Sequence, residues 1–478
     1  MQKILLFIAS LFYFNSLFAK NEIKSWQGIH ETPLSRLEQQ FADPPVEFAN
    51  HVIWGWEGKM DKKTICNDLD SIKKKGFRAV IFEAGYKLPF KYLSEEWFKA
   101  IRTGVLEAKK RGMKVWIIDE GKYPSGFAGG KFSQERPDLR MQALVIGDTI
   151  QVKRGEVMTN HKIAPEIISA VAVSTSGAPN RTVAINNGEI SFNAGLDDWK
   201  ILLVKSDFRT AVTRAVNNPN GGKDATNSLC DYLNPVAVQQ FIDWTHEQYK
   251  KYLGKELGTT VLGFRGDEPD YAHLPWTPSI VQTFKDTKGY DPTPYLASFF
   301  TTSPTIQEQR VKADYWDVWS SLFATHFFKL QADWCAANGV AHITHLNKEH
   351  EMPACVKAEG DYFRNLSKVQ IPGVDAIWNQ IWPGTLNDFP KLASSVAHVY
   401  GKPRAFSESF AAYHISPTIP QAKFVVDHQI ARGINFFEFM FWPAGSKHRN
   451  WMSDPGMKGL NEYTNRTTYL MSQGKPGA

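Results

Sequence analysis

The chain has 478 residues, 43% hydrophobic, 13% aromatic and 22% charged, with a formal net charge of +6. That composition excludes a disordered chain and supplies enough apolar material for a large core. The basic runs Lys73-Lys74-Lys75 and Lys109-Lys110-Arg111 each precede a glycine at an expected helix end, where cations suit the dipole, so they argue against nucleic-acid binding.

In chain order, residues 1–19 read as a secretory signal peptide. Lys3 supplies the positive start, Ile4 to Leu17 is apolar but interrupted at Asn15 and Ser16, and Ala19 offers a small residue for cleavage. The stretch is too short and too interrupted to span a bilayer, so a secreted or periplasmic protein free of the membrane is expected. The four cysteines, Cys66, Cys230, Cys335 and Cys355, have no zinc or redox spacing. Cys335 and Cys355 can be read as a pair or as small buried hydrophobes.

Eight short apolar runs then alternate with helical stretches. The runs are His51–Trp56, Arg78–Phe82, Lys114–Ile118, Thr260–Phe264, Ala341–Leu346, Val374–Ile381, Arg404–Phe406 and Ile434–Phe441. They are rich in Val, Ile, Phe and Trp, as strands buried on both faces should be. The amphipathic stretches Lys62–Lys75, Glu95–Arg111, Val236–Tyr252, Asp314–Asn338 and Gln421–Arg432 each lead to a glycine, a helix stop. Leu460–Ser472 reads as the last helix. Eight such units predict an α/β fold, a (β/α)8 barrel, in two parts: residues 20–140 with three strands and 226–478 with five. Between them, residues 141–225 have no helical period. Alternating runs separated by turns such as Asn186-Asn187-Gly188 predict a small antiparallel β insertion between strands three and four.

Barrel chemistry sits at the C-terminal ends of the strands. Here those ends carry Trp54 to Glu57, Glu83, Asp119-Glu120, Arg265 to Glu268, His345 with Asn347, Trp378-Asn379, Glu408, and Glu438 with Trp442. Carboxylates with aromatics and amides suit sugar chemistry. One carboxylic acid protonates the leaving oxygen, a second carboxylate is nucleophile or base, aromatic faces stack on sugar rings and polar side chains bind hydroxyls. Glu268, between a buried strand and Pro269, is the candidate general acid; its other reading, with Asp267, is a helix cap. Glu408 and Glu438 are the candidate partners, or structural ion pairs inside the barrel. Asp267, Arg265, His345, Asn347, Trp378, Asn379 and Trp442 are candidate sugar contacts. Glu83, Asp119 and Glu120 read equally as floor ion pairs, and Trp54, Trp56 and Trp382 equally as core.

The chain resembles glycoside hydrolase family 106, the α-L-rhamnosidases. The resemblance rests on Pro44-Pro45 with Trp54-Gly55-Trp56, then Gly266-Asp267-Glu268-Pro269-Asp270-Tyr271 with Trp276-Thr277-Pro278. Gly289-Tyr290-Asp291 and Ser407-Glu408-Ser409-Phe410 follow, and last the 460–474 stretch with Leu470, Ser472, Gln473 and Gly474. It implies a barrel acting on terminal L-rhamnose with inversion, with Glu268 as acid, Glu408 or Glu438 as base, and calcium as a candidate cofactor. No Asp-rich calcium loop is recognisable. Members of that family usually continue into β-sandwich domains, whereas this chain ends at Ala478. The alternatives are a glycosidase acting on a uronic acid or galactoside, which Arg265 could serve, and a non-catalytic carbohydrate-binding barrel. A metal-dependent amidohydrolase barrel would want His-x-His on the first strand, which has only His51.

Overall fold

The computed structural model describes residues 24–214, 223–271, 274–385, 387–445 and 451–474. The expected signal peptide lies outside these. Eight parallel strands close a barrel in sequential order: β1 His51–Trp56, β2 Ala79–Ala84, β3 Lys114–Ile118, β4 Val261–Asp267, β5 Ala341–His345, β6 Ile371–Ala376, β7 Phe406–Ser409 and β8 Phe436–Pro443. β8 pairs with β1, so the sheet has no edge. Helices Lys62–Lys74 and Glu95–Lys110 start where Asp61 and Ser94 accept hydrogen bonds from Thr64 N and Trp97 N.

Two helices depart from expectation. The stretch expected as Val236–Tyr252 is two helices, Pro235–Trp244 and His246–Leu253, broken at Thr245 (φ −113°, ψ −85°). The break turns the His246 ring onto Phe264 of β4, with centroids 4.2 Å apart. The helix expected from Asp314 begins earlier, at Ile306, behind a capping box of Thr305 and Glu308; a wide turn over Phe323–Phe328 carries it into Lys329–Ala337. Cys335 and Cys355 are both buried and unbonded, so the pairing is not made.

Alternation along the strands places two layers inside the barrel. The lower layer is aromatic: His51, Trp116 and Phe436 meet with centroids 4.4–5.7 Å apart, and Trp26 closes the base on Trp116. Crowding here demands glycine. A Cβ on Gly263 would lie 2.3 Å from the Trp116 ring, and one on Gly373 would lie 2.1 Å from Phe406. The upper layer is charged and forms the site.

The segment between β3 and β4 is antiparallel β. Gln142–Val152, Trp199–Phe208, Ile167–Ser174 and Arg181–Val183 pair in that order, with Pro275–Trp276 beside the first. Its central strand alternates between two interiors. Leu202 and Val204 join the barrel's main core, while Ile201 and Leu203 join a separate core with Trp199 and Phe192. Among the described residues, no helix is long and apolar enough to cross a membrane.

Candidate active site

A pocket of about 480 Å3 opens at the C-terminal ends of the strands. Its floor is built on Arg265, which alternation on β4 points into the barrel and which is fully buried. Register puts Asp375, Glu408 and Glu438 side by side on β6, β7 and β8. Arg265 Nη1 lies 2.5 Å from Asp267 Oδ1, Nε donates to Glu438 Oε2 at 3.2 Å, and Nη2 donates to Glu408 Oε2. Nη2 also lies 2.8 Å from His345 Nε2; a guanidinium only donates, so that nitrogen accepts, while Nδ1–H donates to Leu346 O at 2.8 Å.

One cation shared by three carboxylates sets them apart. Burial alone would raise Asp267, but the Arg265 guanidinium beside it holds its carboxyl well below the usual carboxylate range. Among the described residues Glu268 has no ion-pair partner. Burial, then the charge of Asp267, pushes its carboxyl up to about 8. It is half-buried, lines the pocket and takes a left-handed φ of 37°, which turns it off the strand line. Neither Asp267 nor Glu268 caps a helix, because the next helix begins at Ile280.

Of the two partner candidates, Glu408 lines the pocket. Glu438 is fully buried below it; Met440, the next inward residue of β8, forms the lining above. Burial raises Glu438 to about 7, and its Oε1 has no partner.

Four expected sugar contacts are corrected. Arg265 spends its guanidinium on three carboxylates and His345 rather than holding it free for a uronate. His345 is fully buried and orients Arg265 rather than facing the pocket. Asn379 staples a neighbouring loop, its Oδ1 accepting from His414 N at 2.9 Å, and the pocket is lined instead by Gln380. Trp442 packs half-buried against the barrel's core. Trp378 and Asn347 do line the pocket, beyond the ends of their strands, which finish at Ala376 and His345. Trp378 is 52% exposed there, a flat face at the rim. Trp54 and Trp56 are core, facing the helices. Glu120 accepts from Gly121 N, Ala128 N and Gly129 N and holds that loop; Asp119 accepts from Ser125 Oγ at 2.6 Å. Glu83 lines the pocket and pairs with Lys122 at 3.0 Å.

Sequence reasoning missed Asp375, Glu349 and Asp270, which also line the pocket. Asp375 lay inside a run expected as Val374–Ile381; a charge at the second position of such a run is the signal that could have found it. It is buried, its Oδ1 has no partner, and burial with the charge of Glu408 raises its pKa well above normal. Glu268, His345 and Asp375 each bring one ligand atom within 4.8 Å of the others. The His345 nitrogens are engaged, so the oxygens of Glu268 and Asp375 remain as donors. Calcium takes about six to eight oxygens, many of them from water or ligand, so this side of the pocket fits a hard cation.

The comparisons with known proteins agree on the architecture. A family model described as alpha-L-rhamnosidase, Glyco_hydro_106, matches residues 172–478. A protein of Formosa agariphila provisionally named a beta-glucuronidase is 24% identical over 99% of this chain and 44% of its own length. The solved structure of a rhamnosidase from Novosphingobium sp. PP1Y superposes with a TM-score of 0.70 at 16% identity, covering 93% of this chain and 61% of that one. The chain thus spans less than two thirds of either protein.

Proposed function

The chain belongs to the α-L-rhamnosidase family of glycoside hydrolases, and from that premise we propose that it removes terminal α-L-rhamnose by inversion, with Glu268 as general acid and Glu408 as general base. The observation that carries this reading is the contrast between two carboxyls in one pocket. Glu268 is pushed up to about 8 and keeps its proton at neutral pH, while Glu408 receives the Arg265 guanidinium, a donor that suits an anion. Inversion needs a water between acid and base, on the face of the sugar opposite the leaving oxygen. Trp378 offers a stacking face, and Asn347 and Gln380 offer polar contacts to hydroxyls. A floor closed by Arg265 and its carboxylates suits a chain end rather than a chain passing through. The reading includes export by way of residues 1–19.

A neutral sugar is favoured by charge. Apart from Glu268 and Asp375, whose protons burial favours, Glu83, Asp267, Asp270, Glu349 and Glu408 line the pocket, against the cations Arg265 and Lys348. A uronate bound deep there would meet a net negative field. Lys348, exposed at the rim with a left-handed φ of 63°, is what favours the second reading, an acidic sugar.

The test is turnover of a panel of aryl glycosides, with the α-L-rhamnoside and the β-glucuronide side by side. Cleavage of the rhamnoside is expected; cleavage of the glucuronide alone would replace the first reading with the second. The anomer released, followed by NMR, decides inversion, and retention would make Glu408 the nucleophile instead. Glu408→Gln is expected to lose about 10³-fold or more in kcat, while Glu438→Gln, which does not reach the pocket, keeps measurable turnover. The opposite ranking would transfer the role of base to Glu438.

When bound, calcium would polarise sugar hydroxyls and fix the ring against the floor. Asp375 is the residue to hold it, beside the protonated Glu268, and a proton on Asp375, favoured by its burial, competes with the ion. Binding is therefore expected to strengthen with pH, read by calorimetry on chelator-treated protein at pH 6 and pH 8. Absence of calcium heat at both values would remove calcium from the proposal.

A further inference from the structure

Two buried residues of the loop after β3, Asp119 and Ser125, have no part in the reaction proposed for the pocket, yet they bond to the end of β4. β3 and β4 are paired as far as Ile118 and Arg265, and Asp119 N still donates to Arg265 O at 3.0 Å. The loop then leaves β4 and returns to it at Ser125. There Ser125 N donates to Asp267 O at 2.8 Å, and Asp267 N donates to Ser125 Oγ at 2.7 Å. The hydroxyl takes the place of the strand carbonyl that a continuing parallel ladder would offer to Asp267 N.

Ser125 is itself gripped from behind. It is fully buried, its Oγ donates to Asp119 Oδ1 at 2.6 Å, and its carbonyl accepts from Tyr232 OH at 2.5 Å. A hydroxyl has a single proton, so with Asp119 taking it, Oγ is left to accept from Asp267 N. Asp119 is fully buried too; burial pushes its carboxyl up to about 7, and Oδ2 has no hydrogen-bond partner. A carboxyl is costly to bury where an apolar side chain would fill the same space. What it supplies here is a fixed direction for the Ser125 hydroxyl.

The two bonds to Asp267 bear on Glu268. Asp267 O belongs to the peptide plane from which Glu268 departs at a φ of 37°. That left-handed angle is unfavourable for a residue with a Cβ and persists only where the surroundings hold it. Downstream, Pro269 has no N–H to offer, and Tyr271 N donates to Ala358 O at 3.0 Å. We propose that Ser125, directed by Asp119, is a positioning residue for Glu268: it fixes the peptide plane ahead of the acid and so aims the carboxyl into the pocket. The inference rests on Glu268 being the general acid.

The test is turnover by the full chain of a nitrophenyl α-L-rhamnoside and of a disaccharide ending in α-L-rhamnose, in Ser125→Ala, Asp119→Ala, Asp119→Asn and Glu268→Gln. A misplaced acid costs most where the leaving group most needs its proton. Ser125→Ala is expected to lose about 10–100-fold in kcat on the disaccharide and about threefold on the nitrophenyl substrate, with KM little changed. A smaller folded fraction would instead lower both rates by one factor. Asp119→Ala should show the same selectivity, and Asp119→Asn, which keeps an oxygen toward Ser125, should recover most of the loss. That pair carries the test if Ser125→Ala does not fold. Equal losses on the two substrates, beside a selective loss in Glu268→Gln, overturn the positioning role and leave the acid in place. Absence of selectivity in Glu268→Gln overturns the acid reading and the positioning role with it.

Discussion

Glu268→Gln is expected to lower kcat by about 10²–10⁴-fold, with the greater loss on a sugar leaving group. A nitrophenolate departs with little help from a proton, whereas a sugar alkoxide needs one, so the ratio of the two losses isolates the acid's role. In the parent enzyme kcat/KM should fall as pH rises through about 8, where the carboxyl loses its proton. That limb should vanish in the variant. Stability moves the other way. The folded-state pKa of Glu268 lies above its unfolded value, so its contribution is fully present below about pH 4.3 and is lost progressively as pH rises through about 8. The parent is therefore handicapped at pH 9 by a carboxylate in a poor environment, and the glutamine variant should unfold at a higher temperature there. Near pH 4 the difference should largely disappear. Equal loss on both leaving groups, with an unchanged pH profile, would mean that Glu268 binds rather than protonates.

Arg265→Met should be the most damaging single change to the site. The side chain is fully buried, and its removal leaves Asp267, Glu408 and Glu438 facing one another without a cation. Removing one partner from a buried ion cluster costs about 3–5 kcal/mol, because the remaining charges are uncompensated. Here the linkage has the opposite sign to that of Glu268. Asp267 is held below its unfolded pKa, so its stabilising contribution is present above about pH 4 and is lost as pH falls through the folded value. The deficit of the variant should therefore be largest at neutral pH and shrink as the carboxylates take up protons. Urea unfolding at pH 7 and pH 4.5 measures this directly. A deficit independent of pH would show that Arg265 acts by filling space rather than by charge.

The sequence by itself determined the barrel. Eight buried apolar runs separated by amphipathic helices allow little besides a closed parallel sheet, because such strands need both faces covered and helix crossovers supply one of them. The place of Glu268 in the pocket was legible because it follows directly on a buried strand, and barrel pockets open at the C-terminal ends of the strands. The tertiary structure decided the rest. Arg265, His345 and Glu438 read as site residues because all three were placed at strand ends, yet all three are fully buried. Depth depends on barrel register and on which neighbour, such as Met440, covers each side chain, and neither is local in the chain. Asp375 was hidden for the complementary reason: its strand stops at Ala376, and the boundary was set too late by the apolar residues that follow. Trp54 and Trp442 failed as sugar platforms because alternation alone does not say which of two buried faces is the barrel's interior.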